Sequence, residues 1–276
     1  MENISNKPLI SVIMGVYNSK KIELLKKSIE SILSQTYENF EFIICDDCST
    51  KEEVKQILNE YRSIDKRIIL LKNEINSGLA YSLNRCIEIA KGEYIARQDD
   101  DDISVSNRFE IQIEFLEKNK DVSLVGCNLN LFDSNSLWGK RIHKEFPTKK
   151  DFLYGSQFPH PATIIRKDIL NKIGNYSVTK ITRRTEDYDL YMRLYYYEYK
   201  GVNLQMFLYD YYEDSITYSQ QKFRYRIDEA KLRFYWFRKL KLMPKGIIYV
   251  IKPIISGLTP NFIRKKYKRK QYKMEF

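Results

Sequence analysis

An α/β fold, with a mostly parallel sheet flanked by helices, is what the first hundred residues of this chain predict, and three observations carry the prediction. Short apolar runs rich in β-branched residues recur at positions 9–16, 40–45, 68–71 and 93–97. Segments with apolar residues three and four apart separate them. Each run ends on a polar or glycine-containing turn. Strands joined by helices in this way make βαβ units, since parallel neighbours need a crossover connection.

The elements follow in order. Leu9-Ile10-Ser11-Val12-Ile13-Met14-Gly15-Val16 reads as a buried strand. Leu24, Leu25, Ser28, Ile29, Ile32 and Leu33 then recur at helical spacing. The second strand stops at Asp46-Asp47-Cys48-Ser49-Thr50, and a helix over about 52–61 leads to the third. Asn76-Ser77-Gly78 is a turn, followed by a helix over 79–90 with Leu79, Leu83, Cys86, Ile87 and Ala90 on one face. The fourth strand runs straight into Asp99-Asp100-Asp101-Asp102. Further on, the pattern predicts a helix over 108–119, a strand over 122–127, an extended stretch at 160–165, a helix from Thr185 that closes near Gly201, and a helix over 227–240. No internal repeat or low-complexity linker interrupts the chain.

With 276 residues, 43% hydrophobic and 30% charged, the chain is globular and long enough for one large domain with an appendage. Its net charge of +11 is uneven: residues 222–276 hold 17 Lys and Arg against Asp228, Glu229 and Glu275. The expected organisation is therefore a first domain at 1–221 and a basic, partly helical extension at 222–276. Such asymmetry points to an anionic partner, nucleic acid or phospholipid. The polar start lacks the apolar core of a signal peptide, and no run approaches the roughly 18–20 apolar residues of a membrane span. Four cysteines are few for this length and fit reduced thiols in the cytoplasm.

Ligands of parallel sheets bind at the carboxyl ends of the strands. Three such ends carry polar side chains here: Tyr17-Asn18, Asp46-Asp47 and the acidic run. A bare acidic run is most simply a solvated turn. Directly after a central strand, however, four like charges repel unless a cation lies between them. Hard oxygen ligands suit Mg²⁺ or Mn²⁺, which take one or two carboxylates and complete the shell with substrate phosphates. The metal reading is favoured on that ground.

Four segments, Ser11-Val12-Ile13-Met14-Gly15-Val16-Tyr17-Asn18, Glu30-Ser31-Ile32-Leu33-Ser34-Gln35-Thr36-Tyr37, Ile43-Ile44-Cys45-Asp46-Asp47-Cys48-Ser49-Thr50 and Gly92-Glu93-Tyr94-Ile95-Ala96-Arg97-Gln98-Asp99-Asp100-Asp101-Asp102, resemble in order and spacing the bacterial family 2 glycosyltransferases that build cell-surface polysaccharides. The resemblance runs from about residue 8 to 110 and resumes at His160-Pro161 and at Thr185-Glu186-Asp187-Tyr188-Asp189-Leu190, about three-quarters of the chain. It implies a GT-A (Rossmann-like) fold and metal-dependent, inverting transfer of a hexosyl group. The donor it implies is a nucleotide-diphosphate sugar, with uridine as the nucleoside, and the acceptor is a saccharide, lipid-linked by the same resemblance.

The resemblance also implies roles. Tyr17 would pack on the nucleobase with Val16 and Asn18 beside it, and Asp46 and Asp47 would hydrogen-bond the base. Asn76 and Gly78 join the nucleotide-sugar site. Asp99 would contact the nucleoside or ribose next to Asp100. Asp101 would hold Mn²⁺ or Mg²⁺, with Asp102 the second acidic candidate. Asp187 matches the general base that removes the acceptor proton, and Glu186 is the alternative; on residue types alone, Thr185-Glu186-Asp187 is a capped helix start. His160 falls on the acceptor side.

Two departures stand out. Cys48 occupies a position that is usually Gly in the family, and Cys45-x-x-Cys48 has no second pair to complete a zinc set. Asp210 and Tyr212 lie where many relatives carry Arg and His, which leaves Arg183 or Arg184 to supply the charge facing a diphosphate.

The segment Phe262-Ile263-Arg264-Lys265-Lys266-Tyr267-Lys268-Arg269-Lys270 mixes cations with aromatics, as single-strand binders do. No recognition-helix or zinc-finger pattern accompanies it, and no nucleic-acid partner is expected. Beside the apolar residues 246–258 it fits an anionic membrane surface, which would hold the protein peripherally on the inner face of the membrane; a solvated tail is the plain alternative. Two rival classes remain at this level. Another nucleotide-binding α/β enzyme, such as a nucleotidyltransferase or dehydrogenase, should carry a Gly-rich phosphate loop, and no G-x-G-x-x-G or Walker pattern exists among the ten glycines. A non-catalytic basic binding protein should show no metal-dependent binding of a nucleotide sugar.

Overall fold

The parallel half of the sheet is built as the residue pattern requires. In the computed structural model, which describes residues 7–134, 136–213 and 223–259, strand β1 (Ile10–Val16) lies between β2 (Phe40–Asp46) and β4 (Tyr94–Arg97), with β3 (Ile68–Lys72) beyond β2, all parallel. Alternation along β1 divides the core. Ile10, Val12 and Met14 meet Leu25, Ile29 and Ile32 of α1 (Ile22–Leu33) and Val54, Ile57 and Leu58 of α2 (Glu52–Ile64) on one face. Ile13 meets Leu83, Cys86 and Ile87 of α3 (Leu79–Ile89) on the other. A period of two with apolar residues at both phases is the signature of a sheet covered on both sides.

Beyond β4 the sheet changes character. The strand order is β3-β2-β1-β4-β8-β6-β9-β5, with β5 (Ile103–Ser104), β6 (Val122–Phe132), β8 (Ile164–Arg166) and β9 (Lys200–Tyr212), and β7 (Leu137–Arg141) pairs with β6 off this path. Among these only β6–β9 is parallel; β4–β8, β6–β8, β5–β9 and β6–β7 are antiparallel. The parallel arrangement expected from the sequence thus holds for β3-β2-β1-β4 and gives way to a mixed sheet. The connection from β6 to β7 is far too short for a crossover, so that pair has to run antiparallel. Helices α4 (Arg108–Lys118), α5 (Lys167–Ile173) and α6 (Glu186–Tyr196) complete the layers.

The basic extension does not hang free where it is described. Helices α7 (Phe223–Lys239) and α8 (Ile247–Leu258) form a hairpin, and Ala230, Leu232, Trp236, Phe237, Leu240 and Val250 enter the same core cluster as α3 and α6. Trp236 donates its indole N–H to Asp189 Oδ1 of α6 at 2.7 Å. Pro253 lies inside α8 and has no N–H for the Tyr249 carbonyl four residues back. The buried Arg233 guanidinium of α7 reaches that carbonyl at 3.4 Å while also donating to Leu153 O at 3.1 Å. The break near residue 221 is therefore one of charge, and the hydrophobic core continues across it. The basic segment at 262–270 lies outside the described residues.

Candidate active site

A cleft of about 680 Å³ opens at the carboxyl ends of β1, β2 and β4, within the size range of small-molecule sites. Its first wall comes from strand ends. Tyr17, half-exposed after β1, presents its ring there. Asp47, buried after β2, organises the next loop: Oδ1 accepts from Asn73 Nδ2 (2.6 Å) and Ser77 N (2.8 Å), and Oδ2 accepts from Asn76 Nδ2 (3.0 Å) and Gly78 N (2.8 Å). Gly78 has φ +90°, which turns its N–H inward just before α3. Cys48 has φ +62°; a left-handed backbone there explains why glycine suits the position, and it strains a side chain by about 1 kcal/mol.

The acidic turn is held from beneath. The buried Gln98 side chain donates to Ser28 Oγ (3.0 Å), Asp102 O (2.9 Å) and Asp99 O (3.3 Å), so that it ties both ends of the turn to α1. Buried Arg97 pairs with the Asp99 carboxylate. Ser19 donates to Asp100, and burial with the neighbouring Asp99 charge pushes the Asp100 carboxyl up to about 6, against that hydrogen bond. Asp99 and Asp100 line the cleft. Asp101 is the exposed member of the turn. Asp102, expected as the second metal carboxylate, is fully buried instead. Its Oδ1 accepts the Tyr212 N–H at 2.7 Å and fastens the turn to β9, and burial together with Asp101 and Asp99 holds its carboxyl well above the usual range.

This donor set fits a hard divalent cation. The available donors are carboxylate oxygens, and burial, followed by the charges of neighbouring aspartates, raises Asp100, Asp101 and Asp102, which a cation would offset. Among the described residues no three His, Cys, Asp or Glu stand close enough to cage a metal by themselves.

The second wall is basic. The loop before α6 brings Lys180, Arg183 and Arg184 to the cleft, joined by Tyr225 of α7. Thr182 pins the loop by donating to Ser177 O at 2.7 Å, and Ser177 donates to Asp189 Oδ2 at 2.6 Å. Asp189 thus joins this loop to Trp236. Asp210 takes no part; it accepts from Asn130 Nδ2 at 2.8 Å.

At the start of α6 the two acids separate. Glu186 lines the cleft, and burial followed by the adjacent Asp187 charge pushes it up to about 7. Asp187 accepts from Ser156 Oγ at 2.9 Å, and burial raises its carboxyl against that bond. His160 sits behind, with Nε2 at 2.8 Å from the Tyr176 hydroxyl. Burial and then the Arg97 charge hold it well below the usual imidazole range, so the ring is neutral.

Tyr17, Asp47, Asn76, Gly78, Asp99, Asp100 and Glu186 therefore share one cleft. Others expected there are engaged elsewhere. The Val16 side chain is in the core. Asn18 Oδ1 accepts from the backbone N–H groups of Thr50 (2.9 Å) and Lys51 (3.0 Å), at the start of α2. Asp46 is buried and accepts from Ser49 N at 2.8 Å. Lys180 and Tyr225 were not anticipated. The three cations within five residues before the acid pair were the available signal for the first; the second had none.

The sequence matches the family described as Glycosyl transferase family 2 over residues 11–174, more than half of the chain. The chain belongs to glycosyltransferase family 2. EpsE of Bacillus subtilis (strain 168), named a glycosyltransferase, is 40% identical over 265 residues, covering 96% of this chain and 94% of EpsE. WfgD of Escherichia coli, a UDP-Glc:alpha-D-GlcNAc-diphosphoundecaprenol beta-1,3-glucosyltransferase, is 33% identical over 186 residues, or 67% of this chain and 69% of that protein. The crystal structure of S. aureus TarS 1–349 in complex with UDP-GlcNAc matches with a TM-score of 0.66 at 18% identity, over 90% of this chain and 71% of that one. The fold is the GT-A fold of these enzymes. Membership in family 2 sets aside the dehydrogenase, nucleotidyltransferase and non-catalytic readings, and it identifies a glycosyltransferase.

Proposed function

We propose that this glycosyltransferase moves a sugar, with inversion, from a UDP-sugar to a hydroxyl of a lipid-linked saccharide in the assembly of a cell-surface polysaccharide. The observation that carries the reading is the opposition, across one cleft, of Asp99 and Asp100 to Lys180, Arg183 and Arg184, with Glu186 lining the same cleft and Asp187 next to it at the start of α6. Anions flanked by cations in this way suit a diphosphate that arrives with a divalent ion. Uridine and the lipid-linked acceptor are supported by the reaction named for the WfgD relative.

In this scheme Tyr17 packs on the base and Asp99 orients the ribose. Asp101 leads the carboxylates that would hold Mn²⁺ or Mg²⁺, whose chemistry is to neutralise charge on the departing diphosphate. Lys180, Arg183 and Arg184 bind the same diphosphate oxygens from the other wall. Asp187 is the base: one oxygen is fixed by Ser156, and the other takes the acceptor hydroxyl proton. As the acceptor hydroxyl oxygen, losing its proton to Asp187, bonds to the anomeric carbon, the bond from this carbon to the nucleoside diphosphate breaks on the opposite face, which inverts the centre. Among the described residues no helix is long and apolar enough to cross a membrane; the basic residues after 259 would hold the protein to anionic lipid on the inner face.

The test is a screen of nucleotide sugars with lipid-diphosphate acceptors, with and without Mn²⁺, read by mass spectrometry. Transfer from a UDP-sugar that requires the cation and is lost in Asp101→Ala is expected. A product formed equally well without cation, or by the variant, overturns the scheme.

A further inference from the structure

Helix α8 is apolar on both sides. Val250 and Pro253 face the core, yet Ile248, Ile251, Ile255 and Leu258 are all exposed, from 46% to 73%. Spaced by three, four and three residues, they form one stripe along the outer face. A helix apolar all round is normally covered on all sides, and a contiguous exposed apolar surface marks an interaction site. The stripe is flanked by Lys245 and Lys252, both exposed. The sequence that follows, 260–276, carries seven Lys and Arg against Glu275 alone.

We infer that the outer face of α8 lies in the interfacial layer of an anionic bilayer and holds the mouth of the donor cleft beside acceptors carried in that bilayer. Apolar stripe and cations together match such a surface: isoleucines enter the acyl boundary while lysines meet lipid phosphates. A second copy of the chain fits worse, because a symmetric contact through this face would bring the same cations together from both copies.

The position of the hairpin joins this surface to the cleft. The far end of α8 packs at Gly257 against Phe223 and Arg226, at the first turn of α7. Tyr225 of that same turn is on the cleft wall. Arg233 and Trp236 then bolt α7 to the core and to Asp189, which receives the cleft loop through Ser177. A surface seated on α8 is thus fixed in orientation relative to the donor site. The inference rests on the lipid-linked acceptor proposed above for its purpose, and on the helix with its flanking cations for its binding.

Co-sedimentation of the full chain with vesicles of phosphatidylcholine, with and without phosphatidylglycerol, tests it. Anionic vesicles should capture the protein at low salt and neutral ones should not. The double variant Ile248→Ser/Ile255→Ser should bind about tenfold more weakly, with an unchanged melting temperature and unchanged UDP affinity. Both positions are exposed, so folding should survive. Equal partitioning of the variant and the parent overturns the inference, as does a dimer of the parent that the same variant dissociates. UDP affinity is read on the same samples: its absence in the parent would count against the donor assignment and leave the lipid result standing.

Discussion

The two walls of the cleft are held in different ways. On the strand-end wall the buried polar groups are locked: Asp47 receives four hydrogen bonds, and Gln98 ties the acidic turn at both ends. The opposite wall is a loop whose cations reach the cleft while its anchors lie behind it, at Thr182 and at the Ser177–Asp189–Trp236 chain. The family match covers the first wall and ends at residue 174, before the second. Under the proposed reading, the wall shared with the family would recognise the nucleotide and its cation. The other wall, which would meet the same diphosphate, is the one that can vary toward an acceptor without disturbing the sheet.

Two pairs of substitutions test this contrast. The largest effect belongs to the start of α6, next to the second wall: Asp187→Asn should lower transfer about 10²–10⁴-fold with UDP affinity within about twofold, measured by product formation and calorimetry. A similar loss in Glu186→Gln alone would move the base by one residue. On the first wall, Asp47→Ala leaves four donors unpaired and should cost about 3 kcal/mol in urea unfolding, whereas Ser177→Ala should cost about 1 kcal/mol. Equal costs would erase the difference between the walls.

His143 belongs to neither wall and calibrates the pH response. Burial and then Arg141 lower it from 6.5 to about 4. The unfolded chain therefore takes up that proton first, and the contribution is complete above pH 6.5 and lost as pH falls toward 4. Between pH 6.5 and 5 the parent should lose about 2 kcal/mol more than His143→Gln does; parallel stability profiles would refute the assignment. The smallest effect is at Cys48, where glycine relieves the left-handed backbone. Cys48→Gly should stabilise the fold by about 0.5–1 kcal/mol, read as a rise in melting temperature of a few degrees; a fall would mean that the thiol contact to Glu74 O matters more.

Much of the first wall was legible because its signals are local. Strand runs of period two place their carboxyl ends, and the polar residues found there are the ones that reach the cleft. Orientation was not legible. Asp101 and Asp102 are the same residue type in adjacent positions, yet one is exposed and the other is bound to the Tyr212 N–H, a contact 110 residues away in sequence. Asn18 likewise reads as a ligand until its φ of +46° turns it onto α2. Strand β9 escaped the reading because its pairing with β6 shifts register three times; each irregularity resets the inward and outward phase on which alternation depends. Tyr225 escaped because only the packing of α7 brings it to the cleft.

The isolation of Asp101 has a kinetic consequence. With Asp102 turned inward, Asp99 paired to Arg97 and Asp100 held by Ser19, Asp101 is the exposed carboxylate of the turn and has no ion pair among the described residues. A lone carboxylate grips a hydrated Mg²⁺ or Mn²⁺ weakly. Under the proposed metal role, the cation would enter as its complex with the nucleotide and depart with the nucleoside diphosphate. The order of arrival would then be set by the arrangement of this turn, with free ion alone barely retained.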